Sequence, residues 1–332
     1  MSLTQPGRVL ALALSMILVS ACGSGSDDQA ARSNPAAASA TYAGGAQQPQ
    51  GKSAEEVAKS ARGKLRCPAS TTLPPRAENQ PVDDLVGIRP GMVYDEAANA
   101  ILCTDELLAM SANERRGFNL QTHGIKLRQG FEIKPAQPNV PMTQEALMKR
   151  MREEDRQRNN FVRVRDVPPG HSKWAVGTMG LPGQEKVINV IREQWFETER
   201  KPPTTNVERA LVEKYGAPTQ RKEYDGIWLL WAFDTLGRPI TETSRLYGQC
   251  ELDQRIDGML KLKPECGLTI AAKLNPPRDN ELLVEFLELH IVDQAKAFTA
   301  IEETERDLLA LSQGRKASEL ERASQQADEV KL

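Results

Sequence analysis

The chain contains five cysteines, and four of them, an even number, are available to form disulfide bonds. Four cysteines can pair in three ways, and the sequence alone does not choose among them. The pairs Cys67–Cys103 and Cys250–Cys266 are expected, because each bridge then stays inside one proposed folded unit. A zinc site or a redox pair is the alternative, yet the chain has no CxxC motif and no histidine at ligand spacing from these cysteines. Structural disulfides are therefore the prediction.

Cys22 has a different setting from the other four. A weakly basic start, Met1–Arg8, is followed by an apolar run, Val9–Val19, and then by the polar stretch Gly23–Ser26. An apolar run of about 7–15 residues that ends in small residues is typical of a secretory signal peptide, and about 20 would be needed to span a bilayer. The sequence therefore predicts export, and disulfides persist in oxidising compartments.

The four residues Val19-Ser20-Ala21-Cys22 resemble the lipobox of bacterial lipoproteins. The resemblance implies that residues 1–21 are removed and that Cys22 is acylated and becomes the mature N-terminus. Gly23, where aspartate would favour the inner membrane, implies transport to the outer membrane. A plain signal peptide cut after Ala21 is one alternative, although it leaves an odd thiol on Cys22. An uncleaved helix is the other, and it needs a longer apolar run.

The three histidines, His123, His171 and His290, lie far apart in the sequence. The chain has no HExxH, GxSxG, SxxK or Walker motif, so no catalytic residue, metal site or cofactor is assigned. A site assembled from distant residues would most readily use His171, which follows Pro168-Pro169-Gly170 in a predicted loop. A solvated loop histidine is the expectation, and His290 is expected to be packed in an apolar run.

Two further patterns invite a chemical interpretation. Gly177, Gly180 and Gly183 are spaced as in a phosphate-binding loop, but the following segment favours a strand and Pro182 removes one amide donor, so a turn is expected. Glu285 and Glu288 form a carboxylate pair of the kind that hydrolyses glycosides. Their separation of three places them on opposite faces of a strand, which argues against that pairing.

The charge balance is close to neutral, with 43 Lys and Arg against 45 Asp and Glu. Nucleic-acid binding depends on many phosphate contacts by Lys and Arg, so this balance gives no case for such a partner. A locally basic stretch, 149–165, nevertheless includes Arg163 and Arg165 in a predicted strand. These two side chains are candidate contacts for lipid or lipopolysaccharide phosphates, although a solvated face of mixed charge is the simpler expectation.

The pattern of apolar residues predicts an α+β protein. Two small units of short antiparallel strands are expected to pack with helices, between a flexible N-terminal tether and a long C-terminal helix. The tether is rich in Gly, Ser, Ala, Gln and Pro and has little to bury, even where 52–64 could form a transient helix. The predicted boundaries are 1–21 for the signal peptide, 22–64 for the lipid-anchored linker, 65–140 for the first unit, 141–159 for a charged helix, 160–311 for the second unit and 312–332 for a polar helical or disordered tail.

Individual elements follow from periodicity. The 3.6-residue spacing predicts a helix over 94–103 and another over 293–311. Residues 118–133 are expected to form short strands. A helix after Pro202-Pro203 is expected to use a capping box of Thr205 and Glu208. Further strands are predicted over 186–196, 227–233, 268–274 and 282–292.

Around Gly91-Met92 the chain resembles the BamE/SmpA-OmlA family of small outer-membrane lipoproteins. The residues that carry the resemblance are Pro90, Gly91, Met92, Glu96 and Ala97. The resemblance implies a short helix packed on a small antiparallel sheet, and a non-catalytic role beside a protein partner.

The sequence thus favours a lipoprotein of the outer membrane that faces the periplasm, with the cell surface as an alternative face. Its expected role is non-catalytic: the acyl chain binds the membrane and the folded part binds an envelope protein. A binder of a cell-wall or lipopolysaccharide ligand is the alternative. A hydrolase is the second alternative, and it requires His171 or His123 to meet a serine or an acid in a cleft.

Overall fold

The computed structural model describes residues 51–63, 65, 67–111, 118, 120–139, 141–159, 167–252 and 260–326. All of them lie in one compact unit, Gln48–Leu332. Cys22 and the predicted signal peptide lie outside these residues. Arg163 and Arg165, with the strand expected around them, lie outside them too.

An eight-stranded antiparallel sheet forms the centre of the molecule, in the order β1-β2-β3-β4-β8-β7-β6-β5. Helices pack against this sheet, so the predicted α+β class is confirmed. The strands are β1 (Leu108–Ser111), β2 (Gly130–Pro135), β3 (Ser172–Met179), β4 (Lys186–Trp195), β5 (Gln220–Glu223), β6 (Ile227–Asp234), β7 (Cys266–Asn275) and β8 (Phe286–Asp293).

Five α-helices accompany the strands in the described part of the chain. They are α1 (Ala54–Arg62), α2 (Tyr94–Leu102), α3 (Gln144–Asn159), α4 (Thr204–Tyr215) and α5 (Gln294–Gln326), and a short 3-10 helix spans Thr198–Arg200.

The sheet consists of two halves with the same plan. In each half one helix, α2 or α4, precedes four consecutive strands that pair in sequence order, and the two halves meet where β4 pairs with β8. The predicted units 65–140 and 160–311 are therefore not separate sheets. Their strands join where β2 pairs with β3, from Gly130↔Gly177 to Ile133↔Trp174. Pairing of backbone groups along β3 removes the exposed edge that the first unit would otherwise present.

Each face of the sheet is covered differently. Side chains of α2 and α4, such as Ile101 and Leu211, share one buried cluster with Trp174 and Leu289 on the first face. The N-terminal half of α5 packs on the second face, where Ala297 belongs to a separate buried cluster. The strand alternation assigns each side chain to one of these faces.

The last part of the segment predicted as the linker, 22–64, contains a packed helix, α1. α1 begins with a capping box in which the side chain of Ser53 accepts from the amide of Glu56 and the side chain of Glu56 accepts from the amide of Ser53. Ala58 is buried, and Arg62 Nη2 donates to the carbonyl of Leu102 at 2.7 Å. A buried alanine carries little hydrophobic signal, which is why the pattern indicated only a transient helix.

Two of the other helices differ from their predictions, one in its N-terminal capping and one in its length. α2 matches its prediction closely. α4 begins at Thr204 after Pro203, which occupies the N-cap position without a side-chain hydrogen bond, so the expected capping box of Thr205 and Glu208 is wrong. α5 runs for 33 residues and passes through Gly314, so the predicted helix end near 311 is wrong.

The expected strands were found in part. β4, β6, β7 and β8 lie within a few residues of their predicted bounds. β3 is absent from the prediction, because the spacing of Gly177, Gly180 and Gly183 indicates a turn in this region. The expected strands in 118–133 reduce to the start of β2, and β1 was missed because its four residues have no clear alternation.

Both disulfides have the predicted local pairing. Cys67 is bonded to Cys103 at the end of α2, and Cys250 is bonded to Cys266 at the start of β7. The first bridge ties the proline-rich segment that follows Cys67 to α2. The second ties the long β6–β7 connection to the sheet.

A candidate binding cleft at the ends of the central strands

A cleft of about 750 Å³ crosses one end of the five strands β3, β4, β8, β7 and β6. We call it the strand-end cleft. The irregular segment 73–91 forms one wall and the first turns of α5 form the other. Between these walls lie the β3–β4 turn, where Leu181 contributes, and the turn after β6, where Leu236 contributes. With the start of β7, where Gly267 and Leu268 contribute, the strand-end cleft is assembled from five parts of the chain that are distant in sequence.

The wall 73–91 is irregular because of its prolines, yet it is firmly held. Arg89 donates through Nη2 to Asp83 at 2.8 Å and through Nη1 to the carbonyl of Pro74 at 3.2 Å. Leu85 and Ile88 are buried in the core and exchange two backbone hydrogen bonds. These contacts, together with the hydrogen bond from the Gly91 amide to the carbonyl of Val187 at 2.8 Å, fix the irregular segment.

The opposite wall is one face of α5. Lining residues recur at helical spacing, with Lys296, Ala300, Glu303 and Asp307 on the same side. Lys296 is paired with Asp293 at 2.7 Å. Glu303 forms no ion pair within the described residues, so this wall presents acidic groups above small apolar ones.

The β3–β4 turn is fixed by a buried carboxylate. Glu185 is 2% exposed, and its Oε2 accepts from Arg128 Nη2 at 2.8 Å and from the amide of Gly183 at 2.9 Å. Burial acts to raise the pKa of Glu185, but the hydrogen bonds from Arg128 and the backbone outweigh it and hold the pKa below its ordinary value. Arg128 also donates to Asp95 at 2.9 Å and lies over the Tyr94 ring, so the turn is locked to the start of α2.

A close backbone approach shapes the other end of the cleft. Gly267, at the start of β7, passes so near the end of β6 that a Cβ atom would lie 2.1 Å from the carbonyl oxygen of Asp234. Only glycine permits this contact. The β6 turn is closed by Asp234, which accepts from the amides of Leu236 and Arg238 at 2.9 Å each.

The two walls carry charges of opposite sign, although Asp307 also lies 3.6 Å from Arg306. Glu303 and Asp307 lie on the α5 wall, whereas Arg76 and Lys186 lie on the opposite side and along the turn. Prolines and leucines separate these charges. A ligand that fits this lining carries apolar surface between a basic and an acidic group.

The structure brings the best histidine candidate to an acid. His171 Nδ1 lies 2.7 Å from Asp105 Oδ2, and both side chains are partly exposed. Within the described residues no serine, threonine or cysteine bonds the second ring nitrogen. His290 is buried on β8 at 2% exposure, as its position in an apolar run predicts.

The other sequence candidates are placed apart. Gly177 lies inside β3, while Gly180 and Gly183 adopt positive φ in the following turn, so the predicted turn is confirmed for these two and no helix follows for a phosphate to cap. Glu285 lies 3.7 Å from Lys201. Glu288 is buried on β8 and stands opposite Glu193 of β4, a neighbour that sequence spacing did not indicate.

Among the described residues no three His, Cys, Asp or Glu side chains are arranged to hold a metal ion. A helix with the length and apolar character of a membrane span was not found in that part of the chain. Comparison of the chain with protein-family models, with curated proteins and with solved structures found no match.

Proposed function

We propose that this chain is a lipoprotein of the outer membrane, attached through acylated Cys22, whose folded part binds an extended segment of an envelope protein in the strand-end cleft. The observation that carries the proposal is the cleft itself, with its proline-rich wall, its helical wall and their opposite charges. The proposed role is non-catalytic, with the cleft facing the periplasm and the cell surface as the alternative face.

The dimensions suit a peptide. Four inter-strand spacings separate β3 from β6, which amounts to about 19 Å at about 4.8 Å each. An extended peptide covers that distance with about six residues at about 3.3 Å per residue. The volume of about 750 Å³ lies in the range of sites that bury a compact ligand.

The lining suggests which peptide. Glu303 and Asp307 favour a Lys or Arg in the bound segment, and Lys186 favours an acidic residue several positions away. Electrostatic pairs of this kind set the register and the partner more than they add affinity. Leucine and proline surfaces between the charges supply the apolar contact.

A hydrolase is the second candidate, and the Asp105–His171 pair is the observation that favours it. An acid that orients a histidine is two thirds of a nucleophilic triad. The pair belongs to the loops beside β1 and β3, and neither residue lines the strand-end cleft. A catalytic role would therefore need a different surface from the binding role.

A photo-crosslinking amino acid in place of Glu303 tests the proposal, with the neighbouring Glu302 as the matched control. Both side chains are exposed on α5, but only Glu303 lines the cleft. The full-length protein in native membranes should crosslink through position 303 to one defined segment of an envelope protein, and through position 302 to none. The Cys22→Ser version should lose the membrane fraction and the crosslink.

A second measurement makes the result specific. A synthetic peptide of the crosslinked segment should bind the purified protein, and Glu303→Arg should weaken its Kd at least about tenfold while Glu302→Arg leaves it unchanged. Equal crosslinking at the two positions, or a peptide that binds both variants alike, would contradict the proposal.

A further inference from the structure

A buried hydrogen-bond donor of β3, the indole Nε1–H of Trp174, lies beside a partly buried arginine of β4. Trp174 of β3 and Arg192 of β4 are directly opposed in the ladder, and the guanidinium carbon lies 5.1 Å from the centre of the indole ring. Trp174 is 1% exposed, and its Nε1–H finds no acceptor in the described part of the chain. A buried indole N–H is normally bonded, so this one requires an explanation.

Arg192 is equally unusual. Its Nε and Nη2 both donate to the hydroxyl of Ser172, at 3.2 and 3.0 Å, and it forms no ion pair with a carboxylate within the described residues. Its Nη1 has no acceptor among them. Burial lowers the pKa of Arg192 to about 10, an effect that the Tyr215 hydroxyl opposes. The side chain is partly buried, and an arginine drawn away from water is normally paired with an anion.

The surroundings define the charge that would fit. Leu289 of β8 is the residue opposite Arg192 on its other side, and with Trp174 it belongs to the main apolar cluster. In these apolar surroundings an anion is stable only when a cationic group balances its charge. One guanidinium matches one negative charge, which favours a carboxylate over a dianionic phosphate.

We propose that Ser172, Trp174 and Arg192 form a binding site for a single carboxylate group, which we call the carboxylate site. The free edge of the guanidinium donates to the carboxylate, and the indole Nε1–H supplies a further donor. Ser172 accepts from Arg192 and so leaves its own O–H free to donate. Charge-assisted hydrogen bonds to a guanidinium are the strong ones in proteins.

The carboxylate site is separate from the strand-end cleft. Met179 lines the cleft at the end of β3, and Trp174 lies five residues earlier, about 17 Å away along the strand. Trp174 also faces the α2 and α4 side of the sheet, whereas Met179 belongs to the cluster beneath α5. Binding at one site therefore does not require occupancy of the other.

Acetate is the probe for this site, and the indole N–H signals of the four tryptophans are the readout. In a titration of the full chain at constant ionic strength, acetate should shift the Trp174 signal saturably and chloride should not. Trp174→Phe identifies the signal. Trp228 serves as the internal control, because its Nε1–H already donates to the carbonyl of Tyr224 at 2.8 Å.

Variants of Arg192 test whether its guanidinium binds the acetate. Arg192→Gln should raise the acetate Kd at least about tenfold, and Arg192→Lys should be intermediate because it keeps the charge without the fork. A missing or non-saturable shift, the same shift with chloride, or a shift that survives Arg192→Gln overturns the proposal. An equal response to inorganic phosphate overturns the choice of a carboxylate.

A last comparison separates two sources of the carboxylate. The two probes are an acetylated dipeptide with a free C-terminus and the same dipeptide with an amidated C-terminus. If only the free form outcompetes acetate, the site is assigned to a peptide C-terminus. Two dipeptides that both bind more weakly than acetate assign it to a small carboxylic acid. Failure of the cleft crosslinks leaves these readouts untouched, because they report on a different face of the sheet.

Discussion

The carboxylate of Glu185, in the turn between β3 and β4, accepts a 2.8 Å hydrogen bond from the side chain of Arg128. The same arginine donates to Asp95 in the first turn of α2, so one side chain joins the β3–β4 turn of the strand-end cleft to the helix that covers the sheet. The residues in the strand-end cleft are positioned through this link. Its strength can be tested by pH.

Glu185→Gln should lower the free energy of unfolding by about 2 kcal/mol at pH 7. The folded pKa of Glu185 is depressed, so the carboxylate stabilises the fold above its ordinary pKa near 4.5, and this contribution is lost as the pH falls through the lower folded value. Urea unfolding at pH 7 and pH 3 measures it. The difference between wild type and variant should be smaller at pH 3 than at pH 7, and a difference independent of pH would contradict the assignment.

The two disulfides should contribute unequally to stability. The Cys67–Cys103 bridge spans 36 residues and the Cys250–Cys266 bridge spans 16. On the chain-entropy model these loops are worth about 4 and about 3 kcal/mol. Denaturant unfolding of each double-serine variant checks the order. A larger loss for the shorter loop would show that contacts of the long β6–β7 connection depend on its bridge.

Parts of this fold follow from local signals in the sequence. The helix at 94–102 was predicted because Tyr94 and Ile101 lie on one apolar face, and the disulfides because each pair is close in sequence. Strand β6 was predicted from a continuous apolar run. For the helix and for β6, the residues that determine the element are neighbours along the chain.

The cleft and the carboxylate site could not be predicted, because strand pairing creates them. Trp174 and Arg192 lie 18 positions apart and meet only through the β3–β4 register. Glu193 and Glu288 become neighbours only because β4 pairs with β8, which unites the two predicted units. His171 was singled out, but its partner Asp105 carried no signal until the loops were placed.

Arg192→Met should stabilise the free protein, by about 1–3 kcal/mol, because it removes a partly buried charge that has no counter-ion in the described residues. A change in that direction indicates that the arginine is retained for binding. Arg221→Met is the control, since Arg221 is exposed and paired with Glu208 at 2.7 Å. Thermal unfolding without carboxylates in the buffer compares them, and a destabilised Arg192→Met would show that Arg192 serves the fold.

The close approach at the cleft end leads to a paired glycine test. Gly267→Ala should lower stability by about 2 kcal/mol or more, because its Cβ would lie 2.1 Å from a backbone oxygen that cannot move without breaking the β6 turn. Gly314→Ala, inside α5 with open space around it, should instead raise stability by about 1 kcal/mol. Chemical denaturation of both variants gives the two signs. The crosslink from position 303 should also disappear in Gly267→Ala and persist in Gly314→Ala. That result would show that the geometry where β6 meets β7 controls what the cleft binds, because the peptide contacts lie at the strand ends.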